Sequence, residues 1–371
     1  MRVSTLFAVS AASAAAVSSP TFPLKNAAVP GTNMPWLGLG TGAYSDNSAV
    51  GYGGYPECWS TSAGCGGFAQ TAVSTWLSVG GRRIDSANSY QNQDDVGTAL
   101  ATAITNGVVA RDELFILSKV GPSNPLGYND TLAQFEGIKA ALQTTYVDAL
   151  LVHWPWDSKS QGNVTNNQTT STDPLCNHAN ATYDEAGCRI STWRALVDIF
   201  NAGGARSIGV SNFNVSHLEE IKASGLPMPA LTQNPFHLYR SATQMDIINY
   251  CLRNDIVFLG YSPFGVPDYK LYPTNTTLPV ANQLNHPAVL AAAAAHGATP
   301  AQVLLAWSMQ LGIPANPRSM NKQHMIDNLG ALDAVTLTQA EMHALLAVPQ
   351  DMCSFDATWC ASWCIGNFFA Y

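Results

Sequence analysis

The chain of 371 residues carries 17 Lys and Arg against 25 Asp and Glu, a formal charge of −8, with 47% hydrophobic and only 11% charged residues. An average soluble protein is roughly 25% charged, and the apolar, acidic balance excludes intrinsic disorder, a long coiled coil and a basic nucleic-acid reader. The length fits two average domains or one large α/β barrel.

Met1 and Arg2 precede a run from Leu6 to Val17 built only of Leu, Phe, Val, Ala and Ser, followed by Ser18, Ser19 and Pro20, with no acidic residue before Asp46. This pattern predicts a signal peptide over residues 1–19 and a single domain over 20–371. The run is shorter than the roughly 18 apolar residues that cross a bilayer, and no later segment is long enough, so no membrane span is expected. A transit peptide is the alternative, and a two-step signal leading to a plastid stays open. Sequons at Asn129, Asn163, Asn167, Asn180, Asn214 and Asn275 agree with a route through the secretory pathway, ending in the endoplasmic reticulum lumen or outside the cell. Cys176 and Cys188 flank the end of a polar stretch, Lys159 to Glu185, that reads as a surface loop closed by its own disulfide. Cys58 and Cys65 bracket a second Gly/Ser/Thr-rich insertion, Cys251 sits in a helical pattern, and Cys353, Cys360 and Cys364 lie in the tail. The tail spacing is not the Cys-x-x-Cys of zinc ribbons, and no metal site is expected.

Strands are predicted at Trp36–Thr41, Arg82–Ala87, Leu114–Val120, Asp148–Trp154, Ser207–Asn212, Leu231–Phe236, Val257–Ser262 and Ile313–Arg318. Between them, helical periodicity covers Thr71–Val79, Asp94–Asn106, Thr131–Thr145, Thr192–Ala202, Val215–Ser224, Thr243–Asn254 and Pro300–Leu311. This alternation predicts an α/β fold, a closed (β/α)8 TIM barrel, with loop insertions on its catalytic face and a cysteine-bearing tail. No Gly-x-Gly-x-x-Gly stands on a strand-to-helix turn to argue for a dinucleotide-binding open sheet.

In such a barrel, chemistry belongs at the carboxyl ends of the strands. The second strand ends at Asp85, with Tyr90 shortly beyond; the third ends at Lys119 and the fourth at His153. Each follows an apolar run and is expected to be buried, and a buried lysine needs a partner, for which Asp85 is available on the neighbouring strand. Together they form a proton-donor site. A phenol titrates near 10, so lending its proton at neutrality asks for stabilisation of the anion by roughly three units. Lys119 is expected to supply it, Asp85 to hold the ammonium, and His153 to orient a carbonyl oxygen or relay the proton.

These residues also carry a resemblance. Met34-Pro35-Trp36-Leu37-Gly38-Leu39-Gly40-Thr41, Arg83-Ile84-Asp85-Ser86-Ala87 with Tyr90-Gln91-Asn92, Leu117-Ser118-Lys119, Leu151-Val152-His153-Trp154-Pro155 and Ile208-Gly209-Val210-Ser211-Asn212-Phe213 follow one another as in the aldo-keto reductases. From about Pro30 to Val348 the chain resembles that family of NADPH-dependent (β/α)8 enzymes. The resemblance implies a catalytic set of Tyr90 as general acid with Asp85, Lys119 and His153. It implies that Ser211, Asn212 and Gln233 hold the nicotinamide carboxamide, that Tyr261 stacks on the ring, and that Ser262 through Gly265 follow the pyrophosphate. Arg318, Ser319, His324 and Asn328 would meet the adenosine phosphate.

Several positions depart from the family pattern. Arg318 stands where Lys is usual and His324 where Arg is usual, so one cation on the 2′-phosphate is weakened; NADPH (NADP+) is the expected cofactor, with NADH open as a second donor. Gly42 replaces an aromatic and Pro235 a Glu. The insertions rim the pocket, with Tyr44 and Trp154 as candidate substrate contacts. The expected activity is reduction of an aldehyde or ketone to an alcohol. The alternative is a catalytically idle NADP(H)-binding barrel serving as a redox sensor or docking module. The expected partner is a small carbonyl compound rather than a nucleic acid, and oligomeric state is not encoded in these motifs.

Overall fold

Along each predicted strand alternate residues differ in size and polarity, and in the computed structural model of the protein this period of two separates the inside of a barrel from its outside. The structure describes residues 20–42, 67–122, 124–156, 170–239, 242–265 and 283–348. Residues 1–19, most of both insertions with Cys58, Cys65, Tyr44, Asn163 and Asn167, the segment with Asn275, and the cysteine-bearing tail lie outside these residues.

Two short strands, β1 (Thr21–Pro23) and β2 (Asn33–Pro35), pair antiparallel with Thr21 opposite Pro35. Eight parallel strands follow: β3 (Gly38–Gly40), β4 (Arg83–Asp85), β5 (Phe115–Val120), β6 (Ala149–Val152), β7 (Ile208–Ser211), β8 (Leu231–Pro235), β9 (Val257–Tyr261) and β10 (Ala315–Asn316), hydrogen-bonded in chain order. The helices between them are α1 (Phe68–Ser78), α2 (Gln93–Thr105), α3 (Tyr128–Ala141), α4 (Glu185–Asn201), α5 (Val215–Ala223), α6 (Ala242–Arg253), α7 (Pro287–His296) and α8 (Pro300–Gln310). After β10 come α9 (Lys322–Leu329), α10 (Ala331–Ala334) and α11 (Gln339–Leu346). The ring closes through the bridge Leu37↔Ala315 and the bonds Ala315 N–H to Trp36 O and Gly40 N–H to Pro317 O, each 3.0 Å.

Phe115 and Leu117 of β5, Ala149 and Leu151 of β6, Leu231 of β8 and Leu259 of β9 fill the inside, floored by Leu24 and Met34 from the β1–β2 region. The intervening residues Ile84, Ile116, Leu150, Val152, Ile208, Val210 and Phe258 pack outward against the helices. Because the side-chain period is two, a one-residue slip would send Lys119 into the helix layer and Ser118 into the barrel, so the apolar pattern fixes the register that places the polar strand ends.

The expected βα order is present, with local differences, and β1, β2, α7 and the helices after β10 stand outside the predicted elements. The first and last strands are shorter than predicted, since Pro314 and Pro317 flank β10 and donate no N–H to a ladder. Helix α4 starts at Glu185 rather than Thr192. Its first turns are held by polar contacts that leave no apolar period: Arg189 donates Nε and Nη2 to Glu220 at 2.7 and 2.8 Å, and Cys188 is bonded to Cys176. The sequon residue Asn214 is buried and caps α5, its side chain accepting from His217 N–H at 2.9 Å, whereas Asn129 and Asn180 are exposed. Among the described residues no single helix is long and apolar enough to cross a membrane.

The Cys176–Cys188 bond, with a sequence separation of 12, ties the end of the second insertion to α4. By restricting the unfolded chain it is expected to contribute about 2–3 kcal/mol. The double variant Cys176→Ser/Cys188→Ser should melt several degrees lower than the oxidised parent, and thiol reductant should lower the parent to the same value while leaving the variant unmoved.

Candidate active site

The residues at the carboxyl ends of β4, β5, β6, β8 and β10 converge. Lys119 is fully buried and Asp85 is 3% exposed. The Lys119 ammonium donates to Asp85 Oδ1 at 2.6 Å, to the Ser86 carbonyl at 3.0 Å and to the Tyr90 hydroxyl oxygen at 3.3 Å, which uses all three of its protons. Asp85 Oδ2 accepts from Asn316 Nδ2 at 2.7 Å and from Gln233 Nε2. The pair is therefore fully satisfied, the condition under which a buried ion pair persists.

Tyr90 ends a 3₁₀ turn, Asn88–Tyr90, and is followed by Gln91 in the left-handed region at φ 53°. That turn is anchored by Asn92 Nδ2 donating to the Thr41 carbonyl at 2.8 Å, while the Thr41 hydroxyl donates to the Asp85 carbonyl at 3.0 Å. Gly42 lies against the hydroxyl end of the ring: a Cβ there would stand 3.0 Å from Tyr90 Cζ. Arg318 donates to the Gly42 carbonyl at 2.6 Å. His153 is buried, its Nδ1 3.0 Å from Ser89 Oγ, its ring edge-on to Tyr90 with centroids 5.5 Å apart and stacked on half-buried Trp154 at 6.4 Å. Trp154 in turn meets Trp156 at 5.7 Å.

The electrostatics correct one expectation. Lys119 was expected to draw the phenol down; burial first and Asp85 second instead push Tyr90 above its ordinary range, with Arg318 opposing. The reason is geometric. Desolvation of the enclosed phenol outweighs the ammonium, which Asp85 engages at 2.6 Å. Burial also pulls Lys119 below its ordinary value, against the attraction of Asp85. His153 is held well below 6.5 by burial and then by Lys119, so its ring is neutral at pH 7.

The residues assigned to a dinucleotide lie along the adjoining rim. Ser211 Oγ donates to the Gln233 carbonyl at 2.8 Å. Asn212, left-handed at φ 61°, donates Nδ2 to the His153 carbonyl at 2.9 Å and accepts from the Tyr261 hydroxyl at 2.9 Å. Tyr261 is thus fixed as a half-exposed ring at the barrel mouth. Ser262 and Gly265 are also left-handed, at φ 52° and 75°, and Gly265 has no room for a Cβ, which would stand 2.1 Å from Gln283 Nε2. Arg318 and Ser319 are half-buried; His324 is exposed in the first turn of α9, and Asn328 is buried in its second. A ring platform, tightly turned backbone and a cation beside a helix start suit a flat ring joined to phosphates. Sequence reasoning missed Asn316 and Ser89. Both had a signal: Asn316 stands at an inward position of the last strand, and Ser89 lies on the short turn between Asp85 and Tyr90.

Comparison with known proteins agrees with this geometry. The model of the Aldo/keto reductase family matches residues 66–348. An aldo/keto reductase of Synechocystis sp. is 33% identical over 86% of this chain and 86% of its own length. The glyoxal reductase of Bacillus subtilis is 30% identical over 86% and 91%. A solved aldo-keto reductase of Bombyx mori in complex with NADP superposes with a TM-score of 0.71 at 26% identity, covering 90% of this chain and 94% of that one.

In the protein without cofactor, the ultraviolet difference between wild type and Tyr90→Phe should show no phenolate below about pH 10, because the upward displacement keeps the proton on Tyr90. A phenolate appearing below pH 9 in wild type only would contradict the assigned direction.

Proposed function

We propose a reaction for this site from an established premise: the chain belongs to the aldo-keto reductase family and is an NADP-dependent oxidoreductase. It reduces an aldehyde or ketone to the alcohol, with Tyr90 as the proton donor. NADPH, when bound, supplies the hydride. Tyr261, Ser262, Gly265, Arg318 and Ser319 would hold it, with Ser211, Asn212 and Gln233 toward the carboxamide and His324 and Asn328 on the adenosine side.

The carrying observation is the chain of contacts from Asp85 through Lys119 to the Tyr90 oxygen at 2.6 and 3.3 Å. Hydride arrival turns a carbonyl oxygen into an alkoxide, whose conjugate acid is weaker than a phenol. A phenol pushed upward keeps its proton until that alkoxide forms, and Lys119 beside its oxygen then stabilises the phenolate left behind. Neutral His153, fixed through Ser89, presents Nε2 to orient the substrate oxygen. Trp154 lines the approach, and Tyr44 is the second proposed substrate contact.

Tyr90→Phe should retain NADPH binding, read by tryptophan fluorescence, and lose at least 10³-fold in kcat across a panel of glyoxal, D-xylose and aromatic aldehydes. Full turnover in the variant would refute the acid assignment. Tight binding with no turnover by wild type on any carbonyl would favour a cofactor-binding module instead.

We further propose that residues 1–19 direct the chain into the secretory pathway and that exposed Asn129 and Asn180, unlike the buried cap Asn214, accept glycans there. Intact mass from the native source, before and after deglycosylation, should show a truncated, sugar-bearing chain. Glycan on Asn214, or a bare chain retaining its leader, would overturn this.

A further inference from the structure

Beneath the Asp85–Lys119 pair lies a second cation that the reaction above does not use. Arg83 precedes Asp85 by one inward position on β4 and is fully buried, among the largest side chains that are. Its Nη2 donates to the carbonyls of Trp36 at 3.1 Å and Ala315 at 2.7 Å, and its Nη1 reaches Met34 Sδ at 3.3 Å. Among the described residues no carboxylate pairs with it directly. Trp36 and Ala315 stand on either side of the place where β3 meets β10, the sparsely bonded closure of the barrel, so one guanidinium spans that junction from within. Its Nε–H is buried without a partner, as is Oδ1 of Asn316. Both face the same point: a Cβ on Gly38 would stand 2.5 Å from the one and 2.8 Å from the other. The other end of the Asn316 amide donates to Asp85 at 2.7 Å.

We propose that Arg83 is a positioning residue of the active site: it clamps the β3–β10 junction, holds Asn316 against Asp85, and sets a fixed positive charge under the Asp85–Lys119 pair. A planar fork lets Arg reach two carbonyls at once, a grip that a Lys ammonium of the same charge does not reproduce. Burial draws the guanidinium down, to about 9, with Asp85 opposing, so it remains charged at neutral pH. Among the described residues the barrel interior then holds two cations, Arg83 and Lys119, against one carboxylate.

The consequence has a definite sign. Removing the charge of Arg83 leaves Asp85 less compensated, so Lys119 holds its proton to higher pH and Tyr90 rises with it. The groups facing them are Asp85 and Arg83 from β4, Lys119 from β5, His153 beyond β6 and Arg318 beyond β10. Removing a like charge from one inward position below displaces such a titration by on the order of one pH unit.

The clamp and its charge belong to the protein alone; only the kinetic effect rests on the carbonyl-reductase reading. The test therefore titrates Lys119 directly, by NMR of protein labelled at the lysine ε-carbons, whose seven signals are assigned with Lys119→Met. Arg83→Met should raise the Lys119 midpoint by about one unit. Arg83→Gln, which keeps amide donors for the carbonyls but not the charge, should do the same and serves if the Met variant does not fold. Arg83→Lys should restore the wild-type midpoint. In the kinetic arm, the basic limb of the kcat/KM profile should move up in Met and Gln and stay in Lys. An unmoved midpoint in the neutral variants, or equal displacement in all three, would overturn the proposal, whether or not a carbonyl is ever turned over.

Discussion

A buried ion pair governs this molecule. Asp85 and Lys119 sit where water is excluded, and taking both charges from water is repaid only if every lone pair and proton finds a partner. Here they do. Asp85 accepts from Lys119 on β5, Gln233 on β8 and Asn316 on β10, and Lys119 gives its remaining protons to Ser86 and Tyr90. Strands from opposite parts of the ring are thereby required to meet at one carboxylate. The apolar layers beneath set the register, and the charged layer above is tolerable only in that register, so fold and site are a single solution.

The same pair bears on Tyr90, the proposed proton donor. An isolated ammonium beside Tyr90 would make it a stronger acid. An ammonium already engaged by a carboxylate does not outweigh desolvation, and burial keeps the proton on the phenol. The site is thus built to respond to charge that appears during reaction rather than to be ionised beforehand, which is the economy of a preorganised environment.

Much of this was legible in the residues. The alternation in Phe-Ile-Leu-Ser-Lys-Val of β5 distinguishes inside from outside, and the polar residue that interrupts the inward series at each strand end marks the site. The disulfide followed from Cys176 and Cys188 flanking a polar stretch. Other features were hidden for physical reasons. The β1–β2 pair consists of three-residue strands containing proline, too short for any period. The start of α4 is secured by a salt bridge and a disulfide rather than by an apolar face. The direction of the Tyr90 displacement depended on how completely the phenol is enclosed beside Asp85, a matter of ångströms that composition does not carry. Arg83 read as part of a motif, and only its contacts across the barrel closure distinguish it from a surface arginine.

That closure also bears on how the protein comes to be active. Arg318 and Gly42, bonded across it, are 276 positions apart in the chain, and contacts of such separation carry the largest loop-closure entropy. During synthesis β4 and β5 are both available long before β10 emerges, so the acidic and basic partners can meet early in an open sheet. Asn316 and Arg318 arrive with the final strand. The closed barrel is therefore acquired late in assembly, and a chain arrested short of β10 would carry Asp85, Tyr90, Lys119 and His153 without the closure that brings Asn316 to Asp85.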